Sequence, residues 1–248
     1  NQRGAWDAGL CRMFDVPLSK LPRIVDSHAV IGQVAGSMAR RCGLPAGIPV
    51  IAGCGDTAAS FLACGATRPG VCVDVAGTAS VFAATTRQFK TDTRYGTLGW
   101  GQSATPGLWH PYAYINGGGM NLEWFARELL AAGGRTLPAL DRAAARLEPQ
   151  LSDPVFVPHL GGRVNPSQPQ VRGSWAGLNW SHTAVHLYRA MLEAVALEYC
   201  VYQEVLRAVN PELTVREIRI TGGGEKSQAW SQIKADALGV PLVNISRH

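Results

Sequence analysis

Ile48-Pro-Val-Ile-Ala-Gly-Cys-Gly-Asp-Thr-Ala-Ala59 decides how the rest of the chain is read. Val50, Ile51 and Ala52 make a short apolar run behind Pro49, and Gly53 and Gly55 let the backbone turn sharply. Ala58, Ala59 and Ser60 are small enough for close helix packing. The expectation is a buried strand that turns at the glycines and delivers Asp56 to the start of a helix. That start would lie at the carboxyl edge of an open α/β sheet, where such sheets bind ligands. Three roles compete for Asp56: the acid of a catalytic site, the opening of a dinucleotide-binding fingerprint, or a plain helix cap.

Working outward, residues 4–14 carry apolar groups at Trp6, Leu10, Met13 and Phe14, a helical spacing that Pro17 and Pro22 interrupt. A second helical stretch over 31–42 leads through Gly43-Leu-Pro-Ala-Gly47 into the opening strand. Beyond it, Val71–Val75 reads as a strand, Gly77-Thr78 as a tight turn, and Ala79–Thr85 as the strand returning beside it. Residues 107–115 form a third strand that stops at Asn116-Gly-Gly-Gly119, before a helix holding Trp124, Phe125 and Leu129. The Pro- and Gly-rich segment 159–180 reads as a long ordered loop ending at Ser181, the expected cap of the longest helix, 182–209. Val185, Leu187, Met191, Leu192, Val195, Tyr199, Tyr202 and Leu206 cover more than half of that helix and predict its burial. Glu217–Thr221 is a strand entering Gly222-Gly-Gly224, Ser227–Leu238 a helix, and Pro241–Ile245 a last strand.

Composition is ordinary for a globular protein: 248 residues, 46% hydrophobic and 17% charged, with 28 glycines and 15 prolines. A net charge of +5 is spread along the chain without a basic run, which argues against a nucleic-acid partner. Six cysteines show neither a C-x-x-C pair nor zinc-ligand spacing and favour a reducing, cytoplasmic setting. No apolar run nears the roughly 18 residues of a membrane span, so no membrane partner is expected. The chain starts without methionine and stops on a strand with no covering helix, which reads as trimming at both ends.

Gly53-Asp56, Gly77-Thr78 and Gly222–Gly224 each follow a strand, and Gly117–Gly119 opens a helix. Such turns let backbone N–H groups approach an anion, so together they suggest phosphate. The dinucleotide alternative rests on Gly53-Cys-Gly-Asp-Thr-Ala58, which fits G-x-G-x-x-A, with Asp74 as the acidic residue that would bind a ribose. Against it, the turn at Gly77-Thr78 leads straight into an antiparallel partner where a crossover helix is required. No Walker A pattern occurs. His182 and His186 sit at a metal-binding spacing on the long helix, but they lack the H-E-x-x-H glutamate and a third ligand, so no metal site is expected.

In order, Gly-Cys-Gly-Asp56-Thr-Ala-Ala, Asp74-Val-Ala-Gly-Thr78, Gly173-Ser-Trp-Ala-Gly-Leu178 through His182 and Ala190-Met-Leu-Glu193, and Thr221-Gly-Gly-Gly-Glu-Lys-Ser-Gln228 resemble the C-terminal half of FGGY-family carbohydrate kinases. The resemblance covers nearly the whole chain. It implies an α/β, ribonuclease-H-like ATPase domain of the actin, hexokinase and Hsp70 superfamily, with a mixed central sheet and helices on both faces. The tail of an N-terminal domain and a linker would occupy 1–45, and the ATP-binding domain 46–248. ATP would bind between Gly77-Thr78 and the triplet Gly222, Gly223, Gly224, with Mg²⁺ bridging its phosphates. Thr78 would contact phosphate, Gly119 would lie near the nucleotide, and Gly223 with Ser227 would line the adenosine pocket. Asp56 would accept the proton of the attacking sugar hydroxyl.

The resemblance implies a pentulose such as xylulose as the sugar; Pro158-His-Leu-Gly-Gly-Arg163-Val-Asn-Pro166 resembles the segment that xylulokinase-like members place near the cleft, and the sugar itself is not read from it. Most of the sugar site and the first phosphate loop belong to an N-terminal domain without counterpart here, so the chain alone is expected to be inactive; a homodimer is compatible with this reading. An NAD-binding oxidoreductase and an actin- or Hsp70-like nucleotide switch are the alternatives.

Overall fold

The structure is a computed structural model that describes residues 4–130, 134 and 136–245. Asp7 caps the first helix, α1 (Ala8–Met13), by accepting from the Leu10 N–H. Strand β1 (Val30–Gln33) precedes helix α2 (Gly36–Cys42), which ends on Gly43 in the left-handed conformation, and strand β2 (Pro49–Ile51) follows. Two expectations change here. The stretch 30–33 pairs antiparallel with β2, Val30 opposite Ile51 and Gln33 opposite Pro49, and only 36–42 is helical. The strand leading to Asp56 is exposed on both faces, since β1 and β2 form a separate two-stranded sheet.

Helix α3 (Asp56–Ala63) then crosses to the central sheet. Strands β3 (Val71–Ala76) and β4 (Ser80–Ala84) form the expected hairpin, followed by β5 (Gly99–Gln102) and β6 (Trp109–Ile115). Helix α4 (Gly118–Trp124) continues as one wide turn over Phe125–Leu129, and α5 (Leu137–Ala144) leads to β7 (Val155–Val157). Strand β8 (Ser174–Ala176) falls inside the expected long loop and pairs with β7. Helix α6 (Ala184–Val209) starts two residues later than Ser181 would allow. Thr183 is its N-cap, and the Thr183 N–H donates to Nδ1 of His186 at 3.1 Å. His186 is thus a capping group, and its spacing from His182 reflects the helix start. Strand β9 (Glu217–Thr221), helix α7 (Gln228–Leu238) and strand β10 (Leu242–Asn244) complete the chain.

The six central strands lie in the order β10-β9-β3-β4-β6-β5, with β3, β9 and β10 mutually parallel and β4 and β5 antiparallel to their neighbours. Strands β3, β6, β9 and β10 therefore run the same way. Alternate side chains separate two cores. Cys72, Phe82, Ala113, Ile115, Ile218 and Ile220 face α6 and α7, where they meet Met191, Leu192, Tyr199 and Trp230. On the other face Val71, Val73 and Ala83 pack against Phe61 and Cys64 of α3. One helix covers that second face only in part, and the uncovered stretch of β4, β6 and β5 becomes a cleft.

Candidate active site

Because β3, β6 and β9 share a direction, their glycine-rich exits meet at one edge of the sheet. The turn after β3 is closed by the Gly77 N–H donating to Ala79 O at 3.0 Å. Gly119 donates its N–H to Gly77 O at 2.9 Å, and Met120 donates to Thr78 O at 3.1 Å, so the start of α4 is tied to that turn. A Cβ at Gly119 would lie 2.7 Å from Gly77 O, and one at Gly222, whose φ is +94°, would lie 2.8 Å from Ala76 O. Both sites require glycine for close backbone approach. Gly223 faces open space, whereas a Cβ at Gly224 would strike Ala76 Cβ at 2.6 Å. Thr78 is exposed on this edge, and its side chain has no hydrogen-bond partner among the described residues. Ser227 is buried at the N-cap of α7, where its Oγ accepts from the Trp230 N–H at 3.1 Å.

Asp56 is the first residue of α3; Gly55 is the N-cap position and has no side chain to cap with. Asp56 therefore meets the helix start only through the next residue. Asp56 Oδ1 accepts from the Thr57 N–H at 2.7 Å, and Oδ2 has no protein partner among the described residues. A cleft of about 530 Å³ opens in front of it. Gly55–Ala58 form one wall, Val81, His110, Tyr112 and Tyr114 form much of its floor, and Ala79, the residue after Thr78, lies at its border. An exposed carboxylate with a free oxygen, beside the turn that follows β3, has the disposition of a proton acceptor next to an anion cradle.

Asp74 lies behind this edge and never reaches it. Its carboxylate is fully buried, accepting from Tyr199 Oη at 2.6 Å and from Lys234 Nζ at 2.5 Å. Burial lowers the Lys234 pKa, with the neighbouring Asp74 charge acting in the opposite sense, and burial raises that of Tyr199. Asp74 is therefore no ribose ligand. With β3 and β4 joined as a hairpin, the dinucleotide reading of Gly53–Ala58 is excluded.

The Pro158–Pro166 segment lies over α6. Asn121 donates to Pro158 O at 3.0 Å, His159 and Arg163 both pair with Glu198 at 3.2 Å, and Asn165 Oδ1 accepts from the Tyr114 N–H at 3.1 Å. Burial alone would raise the Glu198 pKa, but the His159 hydrogen bond and the Arg163 charge outweigh it and hold the carboxyl below its usual range. The segment is thus anchored to the start of α4 at one end and to a floor strand of the cleft at the other.

Asp56, Gly77, Thr78, Gly119 and Gly222–Gly224 all occur on these two adjoining features, while Ser227 supports them as a cap. The sequence reading passed over β5 and the floor residues Gln102, His110, Tyr112 and Tyr114. A signal was present: His110, Tyr112 and Tyr114 alternate along a predicted strand and so share a face. Burial lowers the His110 pKa, favouring the neutral ring, whose Nδ1 lies 3.2 Å from Ala84 O.

The FGGY family of carbohydrate kinases matches through two of its models, the C-terminal domain over residues 72–248 and the N-terminal domain over residues 2–63. Xylulose kinase from Escherichia coli (strain K12) is 26% identical over 96% of this chain and 48% of its own length. Glycerol kinase from Geobacter sp. (strain M21) is 30% identical over 96% of this chain and 47% of its own. The solved structure of xylulose kinase from Rhodospirillum rubrum superposes with a TM-score of 0.87 at 32% identity, covering 98% of this chain and 48% of that one. The chain spans about half the length of the curated relatives it matches.

Proposed function

Because the chain belongs to the FGGY family of carbohydrate kinases, we propose that it supplies the nucleotide edge and the general base of an ATP-dependent sugar kinase, with a pentulose such as xylulose as the acceptor. The observation that carries this reading is Asp56 with its free Oδ2, facing a cleft of about 530 Å³ that borders the turn after β3. ATP lies along Gly77-Thr78, Gly119 and Gly222–Gly224, with the adenosine toward Gly223 and Ser227. Gly223, which has open space where a side chain would stand, suits that contact. Asp56 takes the proton as an acceptor hydroxyl attacks the γ-phosphate, and the turn holds the phosphates in line; positioning and charge neutralisation carry most of the rate. Mg²⁺, entering with the phosphates, would supply charge neutralisation.

The remainder of the sugar site belongs to a fuller N-terminal domain. In support, Trp6, Leu10, Met13, Phe14, Ile31 and Ile51 are large apolar side chains left exposed over the first part of the chain. The proposed division at residue 46 assigns α3 to the ATP-binding side, which agrees with Phe61 packing on Val71 and Val73, although the N-terminal family model runs to residue 63.

The full-length protein is expected to release ADP from Mg-ATP only when a sugar is present, which a coupled ADP assay with D-xylulose and glycerol reads directly. ADP release independent of any acceptor would instead favour a nucleotide switch. At the nucleotide edge, Gly119→Ala forces the turn at Gly77 to move and is expected to weaken Mg-ATP binding by roughly ten- to a hundred-fold, while leaving acceptor binding unchanged. Titration calorimetry with each ligand separates the two effects.

A further inference from the structure

Two cavities meet at one side chain. Gln102, the last residue of β5, lines the Asp56 cleft and also an adjoining pocket of about 150 Å³ formed with Asp26, Ser27, His28, Cys54 and Ser103. The two lie on either side of the Gly53–Asp56 turn: Gly53 and Cys54 border the smaller pocket, Gly55 and Asp56 the larger. The turn and the smaller pocket are held together, since Gly53 donates its N–H to Ser27 O at 2.8 Å and Ser27 Oγ donates to Ala104 O at 2.8 Å. The side-chain amide of Gln102 has no hydrogen-bond partner among the described residues, so its donor and acceptor are both free for a ligand.

The larger cleft differs in character. Phe61, Val81, Tyr112 and Tyr114 line it, and the Tyr112 ring fills the space above β5 that a side chain at Gly99 would take. A Cβ at Gly99 would lie 2.9 Å from that ring. The glycine opposite it at position 99 thus lets Tyr112 set an aromatic surface into the floor. Such a surface suits the C–H face of a polyol, while the free amide and the smaller pocket suit its hydroxyls. The smaller pocket has room for on the order of five waters, or the hydroxyl-bearing end of a short carbon chain.

We propose that Gln102 and Tyr112 select the acceptor by length: the carbon chain lies on Tyr112, and Gln102 binds the hydroxyls farthest from the one that Asp56 deprotonates, so that acceptors longer than three carbons are preferred. The inference rests on the reading of Asp56 as the base and adds to it a specificity-determining pair. Preference by length follows from the lining, with Asp56 on the larger cleft alone and Gln102 where that cleft meets the smaller pocket.

The test compares the full-length protein with its Gln102→Leu and Tyr112→Ala variants, using glycerol, D-xylulose and L-xylulose as acceptors. Gln102→Leu is expected to raise KM for the preferred xylulose about ten-fold, the size of one lost hydrogen bond. KM for glycerol, KM for Mg-ATP and kcat should stay within about two-fold. Gln102→Asn should recover part of the loss, which a folding defect would not. Tyr112→Ala should raise KM for the xylulose and for glycerol while leaving KM for Mg-ATP unchanged. A Gln102→Leu variant that weakens glycerol and xylulose equally, or neither, overturns the proposal; so does an unsubstituted protein that prefers glycerol. If Asp56→Asn abolishes turnover while Gln102→Leu leaves the xylulose KM unchanged, the length inference fails and the base assignment stands. If Asp56→Asn retains turnover, or if the protein acts on none of the three acceptors, the underlying reading fails and takes the inference with it.

Discussion

Asp56→Asn is expected to lower sugar phosphorylation by the full-length protein roughly 10²- to 10⁴-fold, a barrier increase of about 3–5 kcal/mol, with Mg-ATP affinity unchanged. The size follows from the chemistry: the amide keeps the shape of the carboxylate and its contact with the Thr57 N–H but cannot accept the hydroxyl proton. Because Asp56 is exposed and makes no long-range hydrogen bond or ion pair among the described residues, the thermal midpoint should move little. Steady-state turnover beside calorimetric titration of Mg-ATP checks both halves. A variant that keeps most of its turnover would remove Asp56 from the mechanism.

The second large effect concerns stability. Lys234→Met leaves the Asp74 carboxylate buried, with only the Tyr199 hydroxyl to compensate it. A buried charge that loses its partner typically costs about 3–5 kcal/mol. For a chain of this size that corresponds to a fall of about 6–20 °C in melting temperature. Asp74→Asn strands the ammonium in the same way and should be of similar size. The double variant Asp74→Leu/Lys234→Met removes both charges and is expected to recover much of the loss, since an apolar replacement of a buried pair is often neutral. Thermal unfolding of the unsubstituted protein, Lys234→Met, Asp74→Leu and the double variant gives the coupling energy; additive losses would mean that the pair contributes no specific interaction. The position makes the pair consequential, because Asp74 lies two residues before Ala76, whose carbonyl oxygen packs against Gly222. It therefore braces β3 against α6 and α7 directly beneath the proposed nucleotide edge.

The elements that carry phosphate-binding turns were legible in the sequence because their signals are local. A β-rich run followed by Gly-Thr, or by three glycines, identifies strand and turn without any knowledge of what packs around them. The hairpin of β3 and β4, the strand before Asn116, the long apolar helix and the last strand-helix-strand all follow from such patterns. Errors arose where the local signal was shared by two structures. The stretch Val30-Ile-Gly-Gln33 is too short for its pattern to separate helix from strand, and only its pairing with β2 chose the strand. Ser181 and Thr183 are both good caps, and the reciprocal bond with His186 selected Thr183.

By itself, then, the sequence determined the family, the sheet-and-helix alternation and the glycine turns, through Gly-Cys-Gly-Asp56, Gly77-Thr78 and Gly222–Gly224. Tertiary structure decided which of these meet. Strand direction is a property of pairing and not of composition, and the shared direction of β3, β6 and β9 is what brings their three exits to one edge. Exposure was likewise undecidable from pattern alone: Val50 and Ile51 look like core residues and lie outside it, whereas Asp74 and Lys234 look like surface residues and are fully buried because each neutralises the other. The cleft floor of Tyr112, Tyr114 and Gln102 depends on one sheet face being covered by a single short helix, a fact that exists only once the chain is folded.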